Sequence, residues 1–289
     1  MKQRPFAPQK IHRKQPTRME YRGSTRSHFA PQAKHRDKGW ESVAQWYDGM
    51  VGDAGSRIHQ SIALSWVLKQ LALKKGETIL DIGCGQGVLS SSVSACGANY
   101  IGIDNSRTMI AQAQRRHGKE GTFIVGDITH PVSARGLSRN AFDACLFLLS
   151  IQDIRSAHQA ISTAASLLKP GGRMVIFMTH PAFRVPRQSG WGYDQRRKLV
   201  YRRVDSYLSP LDVPMRAHFT TGKTLTRSYH RPLSYYINAL AEAGIAILYT
   251  EEIPINDEAT TSADKSEKRA HREIPLFFAL VGKKLSGKQ

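Results

Sequence analysis

Between Thr78 and Met178 the chain alternates short apolar runs with amphipathic stretches. The runs at Thr78–Ile82, Tyr100–Ile103, Thr122–Val125, Phe142–Leu149 and Arg173–Met178 read as strands. The stretches Val88–Ala95, Ser106–Arg116 and Ala157–Leu168 carry apolar residues at helical spacing, and "KPGGR" closes the last of them. The strand runs are too continuously apolar for a sheet with one wet face. Their regular alternation with helices therefore predicts a parallel sheet covered on both sides.

On the N-terminal side, "GWESVAQWYDGMVG" puts Trp40, Val43, Ala44 and Tyr47 at helical spacing, and "HQSIALSWVLKQLAL" predicts a second helix stopped by Lys75-Gly76. On the C-terminal side the alternation breaks. Residues 180–232 contain Pro181, Pro186, Pro210, Pro214 and Pro232 among many aromatics and arginines. A helix in "PLSYYINALAEAGI" follows, then strands at Ala246–Tyr249 and Leu276–Val281. The polar link between those strands, 251–273, is expected to be a mobile surface loop.

Charge changes the picture in two places. Of the net +19, residues 1–40 contribute +9 and residues 180–232 contribute +8, leaving +2 for the rest. Residues 1–38 are rich in Lys, Arg, Gln, Pro and His without apolar periodicity, and read as a disordered basic tail ahead of a folded domain at 39–289. Such a tail suits weak, sequence-independent nucleic-acid association. No stretch approaches the ~20 apolar residues of a membrane-spanning helix, and no apolar signal segment opens the chain, so a cytoplasmic location is expected. Cys84, Cys96 and Cys145 have neither a disulfide framework nor zinc-like spacing, so no metal is expected.

The chemistry concentrates in "ETILDIGCGQG", residues 77–87, where a strand runs into Gly83, Gly85 and Gly87 with Asp81 just ahead of them. Glycines let the backbone approach a ligand closely. A second acid, Asp104, ends the next strand, where a carboxylate can accept from both hydroxyls of a ribose. A dinucleotide site needs a third glycine where this chain has Val88, and its pyrophosphate would face the Asp81 charge. S-adenosylmethionine brings an ammonium and a sulfonium instead, and gives the acid a reason to be there.

The run resembles motif I of the class I S-adenosylmethionine-dependent methyltransferases, particularly the small-molecule branch with the ubiquinone and menaquinone methyltransferases. "IGID", "FIVGDI", "FDACLFLLSIQDI" and "LLKPGGRMVI" are similar to the following motifs in order, over residues 40–180, and "HRPLSYYINALAEAGI" resumes the likeness. The resemblance implies a Rossmann-like, doubly wound α/β fold with a mostly parallel seven-stranded sheet and an antiparallel last strand. It implies that Gly83, Gly85 and Gly87 line the methionine moiety and that Asp81 organises the turn and the ammonium. Asp104 would then hold the ribose, Asp127 and Ile128 contact the adenine, Leu149 lie near the methyl group, and Tyr47 close over the cofactor.

The acceptor half rests on the insertion after the fifth strand, 180–232, which such a fold uses as a substrate lid. Arg184, Arg187 and Arg231 are candidates for an anionic group, Trp191 and Tyr229 for apolar walls, and His180 and His230 for a general base. The expected activity is methyl transfer to a small, aromatic or anionic metabolite. The alternative is an RNA- or ribosome-directed methyltransferase that uses the basic tail. A cofactor-binding protein without catalysis is a more distant third.

Overall fold

In the computed structural model the described residues are 39–52, 55–130, 136–216, 225–256 and 264–286, and they belong to one compact unit, Arg36–Gln289. The expected tail at 1–38, positions 217–224 of the insertion and positions 257–263 of the late link lie outside the described residues.

A 3-10 turn, Gly39–Val43, leads into α1 (Ala44–Val51), and a π-turn, His59–Ala63, leads into α2 (Leu64–Leu71). The alternating core follows as β1 (Thr78–Ile82), α3 (Ser90–Ala95), β2 (Asn99–Asp104), α4 (Arg107–His117), β3 (Thr122–Val125) and β4 (Phe142–Leu148). After the 3-10 turn Ile151–Asp153 come α5 (Ala157–Leu167) and β5 (Leu168–Thr179). Ser106 starts α4 by accepting the Met109 amide on its hydroxyl at 3.1 Å, the bond an N-cap serine supplies.

Strand order is β10-β11-β5-β4-β1-β2-β3, with β10 (Ile245–Ile253) and β11 (Phe277–Lys284) closing one edge. β1 through β5 pair in parallel and β11 runs antiparallel to both of its neighbours, so the seven-stranded sheet is the expected one. Four of the five residues of β1 are buried, as a central strand covered on both faces must be. Helices α5 and α6 (Leu233–Glu242) pack on one face in a cluster with Phe147, Met178 and Leu280. On the other face α2, α3 and α4 pack with Leu146, Phe177 and Phe277. Because the chain leaves β1 toward β2 and β3, then returns to β4 on the other side, the strand order reverses at the end of β1. Ligands of such sheets bind at that point.

The insertion after β5 consists of two antiparallel hairpins, β6 (Ser189–Asp194) with β7 (Leu199–Val204) and β8 (Leu211–Arg216) with β9 (Leu225–His230). The link expected to be a loop over 251–273 is different: β10 continues to Ile253, and Lys265–Glu273 is a helix, α7. Asp264 caps it, accepting the amides of Ser266 at 2.7 Å and Glu267 at 3.0 Å. Its single buried residue, Ala270, leaves almost no apolar period to read, although the "DKSE" spacing is a capping signal.

Candidate functional site

Asp81 sits inside β1, opposite Gly102 on one side and Leu146 on the other, and is 2% exposed. Its Oδ2 accepts the Tyr100 hydroxyl at 2.7 Å, while its Oδ1 is buried without a partner. Burial pushes its pKa up to about 7; the Tyr100 bond pulls it down less, and the nearby Asp104 charge adds to the rise. The three glycines after it are required for different reasons. A Cβ at Gly83 would lie 2.6 Å from that of Ser150, and one at Gly87 2.6 Å from the Phe123 ring. At Gly85, with φ +55°, an added Cβ would meet no atom within 4 Å. That glycine borders open space.

Asp104 ends β2 and ties the turn down. Its Oδ2 accepts the Gly85 amide at 3.0 Å and its Oδ1 the Ser106 amide at 2.9 Å. Each carboxylate oxygen can accept a second bond, so capacity for two hydroxyls remains.

The open space is a cavity between the glycine turn and the N-terminal segment. Asp81, Gly83, Gly85 and Gln86 form its floor, Tyr47 and His59 its cover, and Leu148 one side. The cover is tethered from several directions. Asp48 of α1 takes a two-pronged ion pair from Arg116 of α4, one arm at 2.9 Å. Glu41 accepts the hydroxyls of Ser106 at 2.6 Å and Thr108 at 2.7 Å, and Gln86 donates to the Gly52 carbonyl at 2.5 Å. Tyr47 meets Trp40 edge-on at 5.1 Å, and burial, reinforced by Asp153 and Asp104, pushes its hydroxyl up to about 12.

Two residues of this cavity were not singled out from the sequence. His59 is 8% exposed; its Nδ1 is 2.8 Å from the Ser56 hydroxyl, and its Nε2 has no partner among the described residues. Burial lowers its pKa, so the ring is neutral near pH 7. Gln86 is 1% exposed and keeps its Oε1 unpartnered. The two spare acceptors, Asp81 Oδ1 and Gln86 Oε1, suit an ammonium donor and oppose a phosphate, and the space beside Gly85 admits a chain that a Cβ would obstruct. The residues therefore fit the methionine end of S-adenosylmethionine.

The remaining cofactor candidates lie along the same sheet edge. Asp127 folds its carboxylate onto its own turn, accepting the Thr129 amide at 2.9 Å and hydroxyl at 2.7 Å. Ile128 is 4% exposed and packs in the cluster of Ile82, Ile103 and Ile151. Leu149 takes φ +52° and donates its amide to Phe177 at 2.7 Å, turning the chain sharply after β4. Just beyond, burial pushes the Asp153 pKa up to about 7, against the lowering pull of the Ser228 and Gln152 side chains. β9 of the insertion packs against the Ile151–Asp153 turn that follows β4.

The two histidines expected as bases are spent elsewhere. His180 is 3% exposed, with Nε2 donating to Glu252 at 2.8 Å and Nδ1 accepting the Ala182 amide at 3.1 Å. His230 donates Nε2 to the Tyr207 carbonyl at 2.6 Å. Neither is on the cavity wall. Arg231 is likewise not free for an anion: it is 2% exposed, donates to the carbonyls of Ile154 at 3.0 Å and of Arg155, and lies over the rings of Tyr229 and Tyr235. Tyr229 is itself 6% exposed beneath Arg231 and Arg155, and Arg187 donates to the Pro214 carbonyl at 2.6 Å. Trp191 is exposed, with the Arg202 guanidinium over its ring and His271 meeting it edge-on. Of the expected anion ligands, Arg184 alone has a guanidinium without a hydrogen-bond partner among the described residues.

A family described as a methyltransferase domain matches residues 80–176. Among curated proteins, a ubiquinone biosynthesis O-methyltransferase of Aromatoleum aromaticum is 26% identical over 170 residues, 58% of this chain and 71% of that protein. A demethylmenaquinone methyltransferase of Beutenbergia cavernae is 28% identical over 144 residues, 49% of this chain and 58% of that one. The crystal structure of an S-adenosylmethionine-dependent methyltransferase from Mesorhizobium loti superposes with a TM-score of 0.63 at 24% identity, covering 78% of this chain and 99% of the other. Domain match, sheet order and spare acceptors agree: residues 80–176 match a methyltransferase domain, the fold is that of the S-adenosylmethionine-dependent methyltransferases, and the cavity fits S-adenosyl-L-methionine as cofactor.

Proposed function

We propose that the chain transfers the methyl group of S-adenosylmethionine to a small metabolite held between the cofactor edge and the 180–232 insertion. The observation that carries this reading is the junction where β9 of the insertion packs against both the Ile151–Asp153 turn after β4 and the Gly39–Val43 turn that leads into the Tyr47 cover. An acceptor seated at that junction is next to the donor and walled off from water by a hairpin.

In this reading Asp81 and Gln86 take the ammonium, and His59 donates Nε2–H to the methionine carboxylate while Ser56 donates to its Nδ1. Asp104 takes the ribose hydroxyls, and the 127–128 turn flanks the adenine. Leu149 packs near the methyl group and Tyr47 covers the site. The cofactor supplies an electrophilic methyl on a cationic sulfur, so this chain's share of the chemistry is alignment of donor and acceptor. Where the acceptor must lose a proton, Asp153 replaces the two histidines as base, because a carboxyl near pH 7 both holds and releases a proton at working pH. The curated relatives' names point to quinone-pathway acceptors in those proteins, which supports a small aromatic acceptor here.

The test feeds enzyme and methyl-labelled S-adenosylmethionine to a fractionated extract, with and without RNase. Label in a low-mass, RNase-insensitive fraction is expected. Label confined to RNase-sensitive material contradicts the proposal.

A further inference from the structure

Two of the insertion's half-buried guanidiniums lack a counter-charge among the described residues. Arg184 follows β5 by five residues, is partly accessible rather than fully exposed, and makes no side-chain hydrogen bond or ion pair among the described residues. Arg202 of β7 donates only to neutral acceptors, the Phe183 carbonyl at 2.7 Å and the Ser189 hydroxyl at 3.1 Å, and lies 5.1 Å from the centre of the Trp191 ring. Burial holds both guanidiniums below their ordinary value, and the Arg184 charge adds to this at Arg202. Like charges held together in partly dehydrated surroundings are unfavourable. Arg203 pairs with Asp205 and Arg227 with Asp212, Arg187 and Arg231 bond carbonyls, and Arg196 and Arg197 are exposed to water.

The setting also favours a particular anion. Phe183, whose carbonyl anchors Arg202, packs on the hydrophobic cluster that includes Leu148, the β4 residue on the cavity wall. Phe183 thus borders the same apolar cluster as the cavity wall, and the Trp191 ring lies against Arg202. Guanidiniums bond planar carboxylates in a two-pronged manner, and flanking rings suit an aromatic body.

Resting on the small-metabolite reading, we infer that Arg184 and Arg202 form a binding site for the carboxylate of an aromatic acid, which anchors the methyl acceptor. The anion neutralises both cations, and the ring it carries reaches toward the donor edge.

Trp191 provides the readout, since its indole lies against Arg202. The full chain, saturated with S-adenosylhomocysteine, is titrated with benzoate, benzamide and inorganic phosphate while tryptophan emission is followed, with Trp191→Phe identifying the signal. Benzoate is expected to give a saturable change that the neutral benzamide does not. Arg184→Met should weaken the benzoate response ~10-fold or more, as loss of a charge-assisted hydrogen bond requires, and Arg184→Lys should restore part of it. The Arg184 side chain makes no hydrogen bond among the described residues, so its removal leaves S-adenosylhomocysteine affinity, measured by calorimetry on the same samples, unchanged. Equal responses to benzoate and benzamide, a response to phosphate alone, no saturable response, or an unaltered response in Arg184→Met would each overturn the carboxylate site. Absence of S-adenosylhomocysteine binding would instead strike at the cofactor assignment.

Discussion

The glycine turn and the 180–232 insertion both lie at the C-terminal edge of the parallel strands, yet they treat their polar groups in opposite ways. At the turn, Asp81 Oδ1 and Gln86 Oε1 are buried and unspent, although a buried acceptor without a donor costs about 1–3 kcal/mol. In the insertion, His180, His230, Arg187 and Arg231 are occupied by internal partners, and the half-buried Arg184 and Arg202 have no counter-charge among the described residues. Unspent polarity next to open space marks where a ligand restores the balance. Abundance of polar residues does not.

The contrast breaks first at Gly85. A Gly85→Val side chain meets no protein atom at Cβ but enters the cavity, so cofactor binding should be lost in calorimetry while the far-ultraviolet spectrum stays native. The left-handed backbone there adds about 1–2 kcal/mol of destabilisation. Normal affinity in this variant contradicts the placement of the cofactor. Next in size is Asp104→Ala, which removes two hydroxyl acceptors and the clamp on the Gly85 amide. At ~1.5–3 kcal/mol per charge-assisted bond, Kd should rise at least tenfold. A Kd within twofold of wild type would show that Asp104 serves the turn alone.

Arg231→Met sharpens the other side. It strips donors from buried carbonyls, so stability in a denaturant titration should fall by about 1–3 kcal/mol with cofactor affinity unchanged. A fully stable variant that no longer turns over substrate would return Arg231 to the acceptor site. The smallest effect is expected from deleting residues 1–38, where a metabolite-directed enzyme keeps its rate near physiological salt. A sharp loss that varies with salt concentration would instead assign those cations to phosphate contacts.

How far the sequence reaches follows from the same contrast. The strands and the glycine turn are legible because each residue there answers a local demand: buried apolar runs for central strands, glycine where φ is positive, acids at strand ends. His59 is not, because it reaches the cavity only after the N-terminal segment folds back across the end of β1. The helix α7 is hidden by its lack of an apolar face. In the insertion, Arg184 and Arg231 look alike as letters. What separates them is the pair of carbonyls that the 154–155 turn brings to Arg231 and not to Arg184.

The central claim is that the spare oxygen of Asp81 receives the cofactor's ammonium, and the most direct measurement is the proton released on binding. Free Asp81 titrates near 7 because burial disfavours its charge. An adjacent ammonium favours the carboxylate and lowers that pKa in the complex, so binding expels the proton from the protonated fraction. Calorimetry with S-adenosylhomocysteine at pH 7, in two buffers of different ionisation enthalpy, should report release of about half a proton, and Kd should weaken by up to ~10-fold per unit below pH 7. Asp81→Asn and an analogue without the amino group should each abolish the release. Proton uptake, or a release that persists in Asp81→Asn, would contradict the account.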